Sequence, residues 1–386
     1  MKVKVKERNP FIIGGYVGPE YFCDRIDESK ELLSALINSR NIAIISPRRM
    51  GKTGLIQHSF HFPEVENEFH TFFIDIYPTG SLKEFVFMLG KEIFEILKPK
   101  GRKFVDGFFN VITSLRPAFK LDTVTGAPIF DIGIGEIQKP EYSLEQIFTY
   151  LESADRPCIV AIDEFQQISK YPEKNIEAIL RTHIQKCTNT TFVFAGSQRH
   201  MMQNIFFSPS RPFYQSVSLI NLEAITLIEY ERFIINHMKI NDRTIHREHI
   251  ERVYNLFEGH TWYIQNIFHR LYSMMEKGEE CSMLMIEKCL HNSISSFEPM
   301  YEGILSLLPE RQKEVLYAIA KEGKVKEVTS SSFVRKHSLK SSSTVQSALR
   351  QLLDKEFITR ENDVYYIYDR FFGLWLADKF GTGFTI

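Results

Sequence analysis

The sequence predicts an α/β fold: a parallel five-stranded sheet with helices on both faces, followed by a helical lid and a winged-helix domain. Three observations carry this. Five short apolar, β-branched or aromatic runs lie between Asn41 and Leu222, separated by helical-period or irregular stretches. One of these runs leads through a short loop, ending in Gly51-Lys52-Thr53, into a helical pattern. After Pro309 the order becomes helix, helix, helix and then two short aromatic strands.

The five runs are Ile42–Ser46, Thr71–Ile76, Cys158–Ile162, Thr191–Gly196 and Val217–Leu222. Their near-continuous hydrophobicity suits strands buried on both faces, which is the condition of a parallel sheet. Helices are predicted over Asp27–Ser39, with Leu32, Leu33, Leu36 and Ile37 on one face, over the segment after Thr53, and over Ser81–Leu97. An insertion separates the second run from the third. In it Phe119-Lys120-Leu121 and Phe130-Asp131-Ile132-Gly133-Ile134 flank Thr125-Gly126-Ala127-Pro128, the pattern of a β-hairpin.

From Ala224 to about Met300 the periodicity is helical, as in Leu227–Met238, Arg247–Phe257 and Trp262–Met275. In the tail, Phe357–Thr359 and Val364–Tyr368 read as the strands of the wing. The third tail helix begins at the Ser341-Ser342-Ser343 capping stretch and carries Val345, Leu349, Leu352 and Leu353 on one face. The expected domains are therefore a core over 1–223 with an insertion at about 100–140, a lid over 224–300 and a winged helix over 301–386.

Bulk composition restricts the function classes. The chain has 386 residues, 44% apolar and 25% charged, which is ample for two or three packed domains. A net charge of -1 supplies no global attraction to nucleic acid or to an anionic membrane, so any such contact has to be local. Five cysteines without a CxxC pair argue against a disulfide framework or a zinc site. The N-terminal Met-Lys-Val-Lys-Val-Lys-Glu-Arg leads into no apolar stretch, and no window reaches the about 18 apolar residues of a membrane span. A reduced, cytoplasmic protein is expected.

The chemistry concentrates at the first and third strands. A triphosphate needs converging backbone N–H groups, a helix N-terminus, a cation and a hydroxyl for magnesium. Ser46-Pro47-Arg48-Arg49-Met50-Gly51-Lys52-Thr53, running into Gly54, offers all four. Gly51 lets the backbone approach the phosphate, Lys52 is the point charge and Thr53 the magnesium ligand. Ser46 stands where this phosphate-loop pattern has glycine, and serine tolerates a positive φ poorly. Ile159-Val160-Ala161-Ile162-Asp163-Glu164 is an apolar strand ending in two carboxylates. Asp163 is expected to hold magnesium through water, and Glu164 to act as general base toward the attacking water.

Two further positions stay open. Ser197 follows the fourth strand; it either senses the nucleotide state, if that strand neighbours the first, or is a plain turn serine. Arg211 precedes the fifth strand and reads as either an arginine finger or a surface arginine.

With these residues in view the chain resembles the AAA+ class of P-loop NTPases, and within it the STAND-type archaeal ATPases, which also occur in bacteria. The resemblance rests on the Walker A segment at 46–53, the Walker B segment at 159–164, the strand ending in Ala195-Gly196-Ser197 and the winged-helix tail. Phe22 and Arg25, in Phe22-Cys23-Asp24-Arg25-Ile26-Asp27-Glu28, are similar to the family box beside the adenine. Glu258-Gly259-His260-Thr261-Trp262-Tyr263 is similar to the family's Gly-x-Pro turn, with Thr261 in place of proline. The resemblance implies ATP or ADP and Mg2+ as ligands, slow ATP hydrolysis, and a nucleotide-controlled regulatory or signalling switch acting on a protein partner. The alternative is a DNA-binding protein whose winged helix reads a duplex under ATPase control; against it, the expected recognition helix Ser343–Asp354 holds only Arg350 as a cation.

Overall fold

The computed structural model describes residues 8–97, 119–121, 128–130, 137 and 139–380. The chain divides into two compact units, Gly14–Ile225 and the described residues of Met1–Ile13 with Thr226–Ile386. The grouping differs from the domains expected above, because the N-terminal segment joins the C-terminal unit, and the helical and winged-helix segments form one unit together.

The first unit contains α1 (Ile26–Ile37), β1 (Ile42–Ile45), α2 (Lys52–Phe60), α3 (Pro63–Glu66), β2 (His70–Asp75) and α4 (Leu82–Ile96). These are followed by β3 (Phe119–Leu121), β4 (Pro128–Phe130), α5 (Pro140–Glu152), β5 (Cys158–Asp163) and α6 (Ile176–Lys186). The last elements are β6 (Thr190–Gly196), α7 (Arg199–Phe207) and β7 (Ser218–Asn221). Five strands form one sheet in the order β2-β5-β6-β1-β7, and every pairing is parallel.

The hydrophobic runs are continuous because successive residues of each central strand enter different cores. Ala43, Ile45, Val160, Ile162, Phe192 and Phe194 face one core, with α4, α5 and α6 contributing Leu89, Leu144 and Leu180. Ile42, Ile44, Ile159, Ala161, Val193 and Ala195 face the other, against Leu32 and Leu36 of α1 and Leu55 of α2. Every residue of β1, β5 and β6 is buried, whereas the edge strands β2 and β7 are only partly so. This is the burial expected of a parallel sheet covered on both sides.

The hairpin of the insertion is antiparallel, with Phe119 opposite Phe130 and Leu121 opposite Pro128. Its second strand starts at Pro128, which the sequence assigns to the turn; positions 122–127 and 131–134 lie outside the described residues.

The second unit continues with α8 (Leu227–Ile240), α9 (Arg247–Leu256), α10 (Thr261–Met274), α11 (Met283–Ser295) and α12 (Glu298–Ser306). The winged helix follows as α13 (Glu310–Glu322), α14 (Ser331–Lys336), α15 (Ser342–Asp354), β8 (Ile358–Glu361), β9 (Val364–Ile367) and α16 (Arg370–Phe380). Ser341 caps α15 by accepting from the N–H of Thr344, and Val345, Ala348, Leu349 and Leu352 are buried on its inner face. Leu353 is only half-buried. Val325 pairs with Tyr365, extending the β8–β9 ribbon by a third short segment.

Helix α16 has no counterpart in the sequence reading, and it fastens the winged helix to the preceding helices. Arg370 N donates to Tyr263 Oη at 3.0 Å and its guanidinium to Glu258 at 2.7 Å, while Phe371 packs on Phe257 and Tyr263. The N-terminal segment is held in the same unit. Phe11, fully buried, sits among Phe233, Phe268 and Tyr272, and Asn9 Nδ2 donates to the carbonyl of His269 at 2.7 Å.

Phe194 lies at the centre of one face of the sheet, fully buried and in ring contact with Phe165, Phe206 and Phe213. Phe194→Ala is expected to cost about 3–5 kcal/mol of stability, the range for deleting a buried aromatic ring. Urea unfolding followed by circular dichroism measures it. A loss under about 1 kcal/mol would mean that this aromatic cluster is not a stability centre.

Candidate functional site

The site is built where β1 and β5 end. β1 stops at Ile45, the loop 46–51 follows, and α2 begins at Lys52 with Gly51 as its N-cap. Gly51 adopts φ 95° and Arg49 φ 68°, so the left-handed backbone falls at these two positions and not at Ser46. Among the described residues no atom crowds the place where a Cβ on Gly51 would sit, so glycine is favoured there by conformation rather than by space. Ser46 is fully buried, and its Oγ donates to the Pro47 carbonyl at 3.0 Å. The serine therefore costs the loop no positive φ.

Lys52 is almost wholly buried, and its ammonium donates to the carbonyls of Ser46 at 3.1 Å and Pro47 at 3.2 Å. Burial holds its pKa below the ordinary 10.5, Glu164 and Asp163 oppose that shift, and Arg48 adds to it. A buried cation served by two neutral carbonyls can exchange them favourably for an anionic oxygen.

Thr53 and Asp163 meet directly, Thr53 Oγ1 donating to Asp163 Oδ2 at 2.8 Å. The other carboxylate oxygen accepts the Glu164 N–H at 2.9 Å. Asp163 is 7% exposed, and its pKa is raised above 3.8, chiefly by burial; Lys52 and Thr53 counter part of this and Glu164 adds to it. A buried carboxylate beside a hydroxyl is a pair of oxygen donors suited to a hard cation such as magnesium. Among the described residues no cluster of three or more His, Cys, Asp or Glu forms an all-protein metal cage. Magnesium usually binds through few protein ligands, its remaining positions going to water and phosphate.

Glu164 turns the chain in a left-handed conformation, φ 55°, ψ 40°. Its Oε2 accepts two hydrogen bonds, from Ser197 Oγ at 2.6 Å and from Gln166 Nε2 at 2.5 Å. Ser197 reaches it because β6 lies between β5 and β1, with Gly196 opposite Ile45. This is the strand adjacency on which a sensing role for Ser197 depends.

A second cluster flanks α2. Phe22 stacks on His58 with ring centroids 4.2 Å apart, and Tyr16 Oη lies 2.9 Å from His58 Nδ1. Phe22 also comes within 3.5 Å of where a Cβ on Gly54 would be. Burial, then His61, lowers the His58 pKa below 6.5. Arg25, in a left-handed conformation and buried, donates to the Met50 carbonyl at 3.2 Å and pairs with Glu28 at 2.7 Å, tying this cluster to the loop. Arg48 lies over the Tyr77 ring, its Cζ 4.8 Å from the centroid. Arg211 pairs with Glu177 of α6 and donates to Ser169 Oγ at 3.4 Å. Thr261 opens α10 in the other unit.

The sequence reading passes over Tyr16, His58, His61 and Gln166. For His58 a signal exists, since it lies one helical turn beyond Gly54 on α2, the same face. For Gln166 there is none short of knowing that β6 adjoins β5.

Residues 299–378 match a family model described as a probable winged helix domain. No curated protein matches the chain. Among solved structures it is similar to the Walker-type ATPase of Pyrococcus abyssi, with 16% identity, TM-score 0.62, and coverage of 95% of this chain and 99% of that one. It is also similar to the Aeropyrum pernix ORC2 protein in ADPNP-ADP complexes, with 12% identity, TM-score 0.60, and coverage of 97% and 98%. A third neighbour is the Aeropyrum pernix ORC1 protein in complex with DNA, with 11% identity, TM-score 0.53, and 94% of each chain covered. The chain has the fold of P-loop ATPases, with a C-terminal winged-helix domain. No helix among the described residues is long and apolar enough to cross a membrane.

The raised pKa of Asp163 has a testable sign. The folded chain binds this proton more tightly than the unfolded chain, so ionising the carboxyl costs stability as pH rises past 3.8. Asp163→Asn is expected to gain stability relative to the parent as pH rises above 3.8, measured by urea unfolding without nucleotide. A stability difference independent of pH would show that ionised Asp163 carries no such burden.

Proposed function

We propose that the chain is a magnesium-dependent ATPase acting as a nucleotide-controlled regulatory switch. The observation that carries this is the convergence of the Lys52 ammonium, the Thr53–Asp163 pair and Glu164 at the ends of the buried strands β1 and β5, on either side of β6. Lys52 binds the β and γ phosphates, the loop 46–51 and the N-terminus of α2 receive their charge, and Phe22 with Arg25 borders the adenine side. Thr53 and Asp163 would hold Mg2+, which when bound neutralises phosphate charge. Glu164 orients the attacking water and takes its proton, and Ser197 couples that carboxylate to β6.

The switch is supported by the division of the chain. All these residues lie in one unit, while the winged helix and the helices before it form the other, joined to the first at Ile13–Gly14 and Ile225–Thr226. ATP shifts such a system only through a difference in affinity between two arrangements, and linkage makes the effect reciprocal in binding. A protein partner read by the C-terminal unit fits this scheme.

A second reading is duplex DNA as that partner. It draws on the outward face of α15, where Ser343, Gln346, Ser347 and Arg350 are exposed, on exposed Lys326 and Arg360 beside the wing, and on the DNA bound by one structural neighbour. Duplex binding that weakens steeply with salt would favour it.

Two substitutions test the main reading. Lys52→Ala is expected to abolish ATP binding in isothermal titration; unchanged affinity would place the phosphates elsewhere. Glu164→Gln is expected to keep ATP and magnesium binding while hydrolysis slows by about 10²- to 10⁴-fold, the usual loss on removing a general base. A Glu164→Gln protein that turns over at the parent rate would exclude this residue from the chemistry.

A further inference from the structure

Gln166 is anomalous for its place in the fold. It lies two residues after Glu164, is 1% exposed, and has buried Phe165 and Ile168 as near neighbours in the chain. A buried amide costs stability unless both ends are bonded. Here Oε1 has no hydrogen-bond partner among the described residues, and it lies so close to Gly196 that a Cβ there would collide with it and with Met202 Sδ. The side chain makes one hydrogen bond among the described residues, from Nε2 to Glu164 Oε2. An apolar side chain would satisfy this pocket better, so the fold keeps an amide whose one partner among the described residues is the carboxylate of Glu164. Glycine at 196 provides the room.

The second donor falls on the same atom. Ser197 Oγ also donates to Oε2, so both donors engage one carboxylate oxygen, and Oε1 accepts no hydrogen bond among the described residues. Two fixed donors on one oxygen set the plane of the carboxylate and leave the other oxygen for work outside the protein.

We propose that Gln166 is the positioning residue of the hydrolytic site: with Ser197 it clamps Oε2 of Glu164 and leaves Oε1 as the atom that takes the proton from the attacking water. The water oxygen bonds to the γ phosphorus, its proton passes to Oε1, and the bond from that phosphorus to the bridging oxygen breaks with its electrons leaving on ADP. This inference rests on the reading of Glu164 as general base.

The test compares steady-state ATP hydrolysis and ATP affinity in Gln166→Met, Glu164→Gln and the double variant. Methionine keeps the length of the side chain and removes both the donor and the unpartnered Oε1, so the variant is expected to melt no lower than the parent. Its KM and Kd for ATP stay at parent values while kcat falls about tenfold to a hundredfold, as for a lost hydrogen bond to a charged group. In the Glu164→Gln background the same change alters kcat by less than about twofold, because nothing is left to position. Gln166→Glu provides a second variant of the same shape; two apposed carboxylates are expected to slow kcat at least as much as methionine does. Gln166→Met with parent kcat beside a slow Glu164→Gln would overturn the positioning role alone. A kcat loss repeated in full in the Glu164→Gln background would place Gln166's effect elsewhere, and parent turnover in Glu164→Gln would remove the base and the inference together.

Discussion

The hydrogen bond from Thr53 Oγ1 to Asp163 Oδ2 joins segments 110 residues apart, and the rest of the site depends on what makes it possible. Thr53 is placed by the start of α2, which is placed by β1; Asp163 is the last residue of β5. The two strands are not neighbours, for β6 lies between them, so the bond holds only if the sheet keeps its order and its register. That in turn requires the two hydrophobic layers that bury every residue of β1, β5 and β6. The stability of the core thus sustains a site that is itself unfavourable to fold: a buried ammonium, a buried carboxylate with a raised pKa and a half-satisfied buried amide. Such local cost is the usual mark of a functional centre.

Much of this was legible in the sequence, and for a physical reason. Strands covered on both faces have no polar side, so Ile42–Ser46, Cys158–Ile162 and Thr191–Gly196 stand out as uninterrupted apolar runs, and the strands found differ from them by about one residue at an end. Gly51, Lys52 and Thr53 are contiguous, and their chemistry needs only local geometry to be read. Ser46 shows the converse. Its effect on the loop depends on where the positive φ angles fall, and these fall at Arg49 and Gly51.

What escaped the sequence is what tertiary adjacency creates. Gln166 acquires meaning only when β6 brings Gly196 and Ser197 beside it. Tyr16 and His58 are 42 residues apart and meet only after α2 has packed. Helix α16, with Phe371 and Phe372 packed on Phe257, Tyr263 and Tyr301, answers a demand visible only in the assembled unit. The grouping of Phe11 with the C-terminal helices is of the same kind, since no local pattern tells a chain which distant aromatic pocket will receive it.

The central claim is that the Thr53–Asp163 pair is where the metal of a magnesium–nucleotide complex binds. The most direct measurement is ATP affinity by isothermal titration with magnesium and with magnesium chelated, in the parent and in Thr53→Ala. The account predicts that magnesium tightens ATP binding in the parent and that the variant, still holding Lys52 and the loop, loses that gain. An equal magnesium effect in both proteins would contradict it.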